Sequence, residues 1–245
     1  MSIFSVRDVD GVALVTIDRP PANAMDPAFI ESGLEMLSTL DSSHPDAVVL
    51  TGTDRFFSAG ADLRAVPRLT AEEQAEMARR INALFAGWFS FARPVVTAVN
   101  GHAVAGGLVL ALCGDARIGP TSGRFGLTEV AAGIPFPSAA MAVVRSELPM
   151  PVLRRLTLRA ELVDAPDALA LGVFDEIVDD DRVVDRAVEL AREMGSLPAQ
   201  AYAVVKAQLR AAALEVERGR FGGAEAAAWV TNESGSAAGR ILDRD

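Results

Sequence analysis

Two short glycine-bearing stretches and one isolated acid carry the residue types in this chain that could do chemistry. The first stretch is Phe57-Ser58-Ala59-Gly60-Ala61-Asp62-Leu63; the second runs from Asn100 through Gly101, Ala105, Gly106 and Gly107 to Leu110. Each is expected where a strand hands over to a helix, a place where unpaired backbone N–H groups and the positive helix end point the same way. Two donors from separate segments, converging on one developing negative oxygen, stabilise it by roughly 3–4 kcal/mol per well-placed donor. Small residues let the backbone approach such a ligand closely. Glu129 is the only acid between Phe125 and Pro137, and its neighbours Val130, Ala131, Ala132 and Ile134 are small or apolar. A carboxyl group in those surroundings is partly desolvated, which raises its pKa toward neutrality and makes it a usable proton shuttle.

The elements that must hold these groups follow from periodicity and turn chemistry. Val12-Ala13-Leu14-Val15-Thr16-Ile17 reads as a strand, with a proline-rich turn at 19–22 behind it. Asp26 as N-cap and Pro27 at the first helical position open a helix whose Ile30, Leu34 and Leu37 share one apolar face. Residues 48–51 predict a buried strand leading into the first glycine stretch. A long helix follows over 71–91, then a short apolar strand over 94–99 that feeds the second stretch. A helix over 105–112 leads to a strand at 115–118. Short apolar strands alternating with helices predict a parallel α/β architecture. Beyond about residue 148 the pattern is helical, at 151–158, 165–171, 181–194 and 198–214, with one late strand candidate at 172–178. A hinge at 195–198 divides the chain into a core, 1–195, and a C-terminal helical section, 196–245, in which 225–232 also reads as helix.

Composition excludes several classes of function. Half of the 245 residues are hydrophobic and 23% are charged, enough for a large core and for apolar surface that a partner copy would cover. A net charge of −10 argues against nucleic acid or an anionic membrane as the main partner. The single cysteine, Cys113, lies in an apolar run and reads as a core thiol; with two histidines beside it, a metal site of ordinary spacing is not expected. His44 reads as solvent-facing and His102 as a packed or surface side chain. There is no basic leader followed by an apolar run and no apolar stretch of about 18–20 residues, so a cytoplasmic location is expected. Nucleophile-elbow, P-loop and dinucleotide fingerprints are all missing.

Asp18-Arg19-Pro20-Pro21-Ala22-Asn23-Ala24-Met25, the run FSAGADL at 57–63, NGHAVAGG at 100–107 and FGLTEVAAGI at 125–134 stand in order along the chain. Together they resemble the enoyl-CoA hydratase/isomerase (crotonase) superfamily. The resemblance implies a crotonase-like spiral core of ββα repeats with a C-terminal helical section. It further implies an acyl-CoA thioester as substrate, no additional cofactor or metal, and a homotrimer or dimer of trimers. Carried over position by position, Ala61 and Gly106 supply the N–H groups that hold the thioester oxygen, and Glu129 is the second of two catalytic glutamates. The coenzyme A moiety is held largely by backbone at Ala22, Ala24, Ala59, Ala61 and Leu63, while Gly60 and Gly107 serve the backbone geometry. Asp62 either touches the ligand or caps a first helical turn. Arg19, Arg55, Arg64 and Arg68 are unranked candidates for the phosphates, and Asp115 matches a recurrent structural aspartate.

One departure bears on the reaction. The first catalytic glutamate of hydratases lies three positions beyond the oxyanion glycine, where this chain has Val109. Adding water across a double bond benefits from two carboxyl groups. A single one can still take a proton from the carbon beside the thioester carbonyl and return it two carbons along. The resemblance is accordingly nearest to Δ3,Δ2-enoyl-CoA isomerases, which keep one glutamate and an apolar residue at the other position. A hydratase working with one glutamate and a weakly active acyl-CoA-binding protein stay open beside it.

Overall fold

The computed structural model describes residues 2–220; the helix expected at 225–232 lies outside the described residues. The chain opens with strands β1 (Phe4–Val9) and β2 (Val12–Ile17), an antiparallel hairpin. Its tip is Asp10-Gly11, both at positive φ (55° and 86°), the conformation a two-residue hairpin turn needs. Helix α1 (Pro27–Ser43) starts as expected, with the Asp26 carboxylate accepting from the Phe29 N–H at 2.8 Å.

Three further strand–strand–helix units follow. They are β3 (Ala47–Thr51), β4 (Phe56–Ser58) and α2 (Ala71–Ser90); β5 (Val95–Ala98), β6 (His102–Val104) and α3 (Gly106–Leu112); and β7 (Ala116–Pro120), β8 (Phe125–Gly126) and α4 (Ser138–Glu147). The first strand of each of these units joins β2 in a large sheet, ordered β1-β2-β3-β5-β7-β9, where β9 is Glu176–Val178. The second strands build a separate parallel sheet, β4-β6-β8. This is the ββα spiral that the motifs imply. Helices α5 (Met150–Leu158), α6 (Ala165–Ala170), α7 (Val183–Gly195) and α8 (Ala199–Arg220) complete the described chain.

Both faces of the large sheet are covered, which is why its central strands read as unbroken apolar runs. In β3, Val48 and Leu50 face the main core while Val49 turns to the other side, against Ala187 and Ala191 of α7. The structure departs from the expected pattern in several places. Strands β1, β4, β6 and β8 and helix α4 arise where none was expected, and no α-helix follows the first glycine stretch directly: a turn and a short 3₁₀ segment, Val66–Arg68, intervene before α2.

Helix α8 docks through charge as well as apolar contact. Lys206 Nζ lies 2.7 Å and Arg210 3.0 Å from the Asp115 carboxylate, and the Asp115 carboxylate also accepts from the Val95 N–H at 2.8 Å. Arg210 further donates to the carbonyls of Phe89, Cys113 and Gly114 and stacks on the Phe89 ring, 4.0 Å from its centre. Burial pushes the Lys206 ammonium down to about 8, against the pull of Asp115, and pushes the Cys113 thiol well up, so Cys113 is an inert core group. No described helix is long and apolar enough to cross a membrane.

Candidate active site

The two glycine stretches meet through their backbones. Strand β4 runs into Ala59, whose N–H donates to the Ala22 carbonyl at 3.0 Å. Met25 then bridges the turn: its N–H donates to Gly60 O at 2.8 Å and its carbonyl accepts from the Asp62 N–H at 2.9 Å. This leaves Ala61 between two bonded neighbours with its own N–H unspent on any acceptor among the described residues. The Gly106 N–H, at the first position of α3, is likewise unspent, as helix-start donors are.

Gly60 lets the two stretches pack directly against each other. It is buried at φ 78°, and a methyl group added to it would lie 2.8 Å from the Gly106 nitrogen and 3.0 Å from the Ala105 Cβ. Gly107 allows a second close crossing, since its Cα side packs on the Ser58 carbonyl. Ala105, the residue before α3, sits at φ 51°, ψ −129°, a conformation that glycine adopts freely and alanine does not. Its N–H is anchored on the Gly126 carbonyl at 2.8 Å, which ties the start of α3 to the end of β8.

Glu129 follows β8 by three residues, on the loop anchored there. The turn that carries it is closed by Ala132 N–H to Thr128 O at 3.1 Å and Ile134 N–H to Glu129 O at 2.9 Å. The residue is 7% exposed, and its Oε2 has no hydrogen-bond partner among the described residues. Burial pushes its carboxyl up to about 8, only partly offset by its own backbone N–H. A buried carboxyl group with an idle oxygen and a near-neutral pKa is suited to take and return a proton. Val109 is fully buried in the main core, and its N–H is spent on Ala105 O at 3.1 Å.

Other expected site residues divide. Ala24 and Leu63 are half-buried and enter no backbone hydrogen bond among the described residues, leaving their polar groups open to a ligand. The Ala59 N–H and the Ala22 carbonyl are bonded to each other, so the Ala59 donor is not free for coenzyme A. Asp62 opens no α-helix; its carboxylate accepts from the N–H groups of Arg64 (2.8 Å) and Ala65 (3.1 Å) and caps the intervening turn. Arg19 is paired with Asp26, whereas Arg55, Arg64 and Arg68 are exposed. His102 is packed against Phe56, its ring 4.9 Å away, and accepts from the Arg124 N–H. Asp115 holds α8 and has no part in the site. Asn23 and Ser58, given no individual role by the sequence, turn out to be buried polar hubs of the loop pairing.

The backbone-built pair of donors, the buried acid on the loop after β8 and the ββα spiral fit the class that the motifs imply, an acyl-thioester enzyme fold. The enoyl-CoA hydratase/isomerase family profile matches residues 7–226, and the chain belongs to that family. A Mycobacterium tuberculosis protein named a probable enoyl-CoA hydratase, EchA17, is 33% identical over 199 residues, covering 80% of this chain and 76% of that one. The apo structure of a Mycobacterium tuberculosis enoyl-CoA isomerase superposes with a TM-score of 0.84 at 32% identity, covering 90% of this chain and 96% of the other. Human mitochondrial Δ3,Δ2-enoyl-CoA isomerase shares the fold, with a TM-score of 0.87 at 23% identity over 99% of this chain and 97% of its own.

Proposed function

We propose that this family member isomerises 3-enoyl-CoA to 2-enoyl-CoA with one glutamate and a backbone oxyanion hole, without a further cofactor. Glu129 as carboxylate takes a proton from C2, beside the thioester carbonyl. The electron pair moves onto the carbonyl oxygen, giving a dienolate whose negative charge the Ala61 and Gly106 N–H groups stabilise. The protonated Glu129 then returns the proton at C4, and the double bond comes to rest between C2 and C3. The carboxylate is regenerated, and no water is consumed.

The observation that carries this reading is the pairing of one buried carboxyl group at Glu129, with its Oε2 unpartnered among the described residues, with fully buried Val109 at the position where a hydratase has its other acid. Val109 can neither activate water nor exchange a proton. A second reading, hydration with Glu129 alone, is favoured by the name of the mycobacterial relative EchA17. Incubation with 3-enoyl-CoA and 2-enoyl-CoA side by side, with product identification, separates the two. Isomerisation well ahead of hydration is the expected result; equal or faster hydration gives the chain to the hydratase reading. No turnover of either, with acyl-CoA still bound, makes it a binding protein.

Self-association belongs to the same proposal, as a trimer or a pair of trimers. Leu158 and Leu209 are largely exposed, as are Val204 and Val205, and such side chains are commonly covered by a partner copy. Light scattering on the purified protein tests it: a monomer mass rules it out.

A further inference from the structure

We infer that Asn23 is the positioning residue of this site, joining the loop that carries Ala22 and Ala24 to the strand that delivers the Ala61 donor. The inference rests on the isomerase reading above for its assay. Asn23 is 2% exposed and sits at φ 50°, in the left-handed region that asparagine tolerates better than most non-glycine residues.

Each of its polar atoms is engaged. Nδ2 donates to Phe56 O at 2.9 Å and Phe57 O at 3.2 Å, while Oδ1 accepts from the Arg19 N–H at 2.7 Å. Its own N–H donates to Arg19 O at 2.8 Å, and its carbonyl accepts from the Ser58 hydroxyl at 2.8 Å. The same hydroxyl oxygen accepts from the Gly60 N–H at 3.2 Å. A path therefore runs from the Asn23 main-chain carbonyl through Ser58 to Gly60, which packs against the Gly106 nitrogen, while the Asn23 side chain fixes where that carbonyl lies by holding Phe56 and Phe57 of β4 and the Arg19 N–H.

The amide is matched to its place chemically. Two adjacent carbonyls and one N–H surround it, and a carboxamide supplies two donors and an acceptor in one plane. A carboxylate there would set an anion against two carbonyl oxygens. Asn23 itself is enclosed by protein, so its effect on a reaction passes through the turn it fixes. Small displacements of a reacting constellation cost turnover steeply, on the order of 10²-fold for about 1 Å.

The test is Asn23→Gly, which keeps the positive φ accessible and deletes only the side-chain bonds. The assays are turnover of 3-enoyl-CoA and the dissociation constant of a saturated acyl-CoA, on protein shown folded by circular dichroism. Expected are a kcat lowered by about 10–100-fold and a dissociation constant within about threefold of wild type, because the dienolate charge exists only during reaction. Wild-type kcat in the variant, even with a lowered melting temperature, assigns Asn23 to stability and overturns the inference. Equal losses in kcat and binding overturn it too. Should the glycine variant not fold, Asn23→Asp, of the same shape, takes its place with the same two readouts; failure of both to fold makes Asn23 a folding residue and also overturns it. A wild type inactive on 3-enoyl-CoA defeats the isomerase reading, a different outcome from an active wild type whose variants are unimpaired.

Discussion

A methyl group on Gly60 would stand 2.8 Å from the amide nitrogen of Gly106, so the first glycine stretch presses directly on the second. Gly60 also holds φ 78°, which an L side chain rarely adopts. By contrast a methyl on Gly106 would meet Met25 Sδ at 3.4 Å and the Phe85 ring at 3.6 Å, ordinary packing distances.

Two adjacent substitutions should therefore part ways. Gly60→Ala is expected to lower kcat by roughly 10²–10³, because the donors are displaced, and to lower the melting temperature. Gly106→Ala keeps its N–H and should hold stability to within about 1 kcal/mol. Thermal melts of both variants are the check, and a Gly60→Ala protein as active and stable as wild type would falsify the apposition.

Glu129 should set the pH dependence of turnover. Its ordinary value of 4.5 is raised to about 8 by burial. As a base it must be ionised, so kcat/KM of the free enzyme should climb with pH and level off above about 8. Glu129→Gln keeps the shape but cannot accept the proton; turnover should disappear while a saturated acyl-CoA still binds. A flat profile from pH 6 to 9, or turnover by the glutamine variant, counts against Glu129 as the proton carrier.

The same group should be visible in stability. The native state holds a proton that the unfolded chain releases between pH 4.5 and about 8. The benefit of the neutral carboxyl is complete below 4.5 and is lost as pH rises through the folded value. The full penalty is on the order of 5 kcal/mol. Denaturant melts of wild type and Glu129→Gln at pH 5 and pH 9 should show wild type losing stability relative to the variant; parallel losses would mean that Glu129 is not desolvated.

Asp115 should matter far more than a surface ion pair. Asp115→Asn strips the carboxylate from Lys206 and Arg210, both buried, and should cost about 3–5 kcal/mol. Removing exposed Asp10 from its pair with Arg192 should cost less than about 1 kcal/mol. Urea unfolding of Asp115→Asn and Asp10→Asn gives the comparison, and similar losses would contradict the burial of the cluster.

Ala105→Gly should relieve strain. An alanine at φ 51°, ψ −129° carries about 1–3 kcal/mol that glycine does not, against about 0.5–1 kcal/mol of added chain entropy. A small gain in melting temperature is expected, and a clear loss would mean that the conformation is unstrained.

What the sequence announced and what it withheld differ by mechanism. Strands β2, β3 and β5 were legible because two covered faces demand unbroken apolar runs, and α1 because its Asp26-Pro27 start and a single apolar face mark it. Strands β4, β6 and β8, only two or three residues each, leave no period to read. Helix α4 lacks a cap of its own: the Ala139 N–H donates to Asn82 of α2 at 2.7 Å, a partner remote in sequence. Ala105 holds positive φ without being glycine, and its residue type gives no sign of it; Asn23 is of a type that tolerates positive φ, but most asparagines do not adopt it. In α8, Lys206 and Arg210 look like solvated charges until Asp115 is brought beneath them. The four motifs located the candidate site because its geometry is built from glycine and alanine, whose absence of bulk can be read directly.

The Ala61 and Gly106 donors belong to the main chain, and that shapes what mutational scanning could reveal. Alanine replacement changes nothing at position 61 and leaves the amide in place at 106, so a conventional scan would pass over the groups proposed to bear the reaction's charge. Only backbone chemistry reaches them: proline, which deletes the N–H, or an ester in place of the peptide bond. Lineages could therefore exchange most of the side chains around this site and still inherit the same electrostatic machinery, provided that no descendant puts bulk on Gly60.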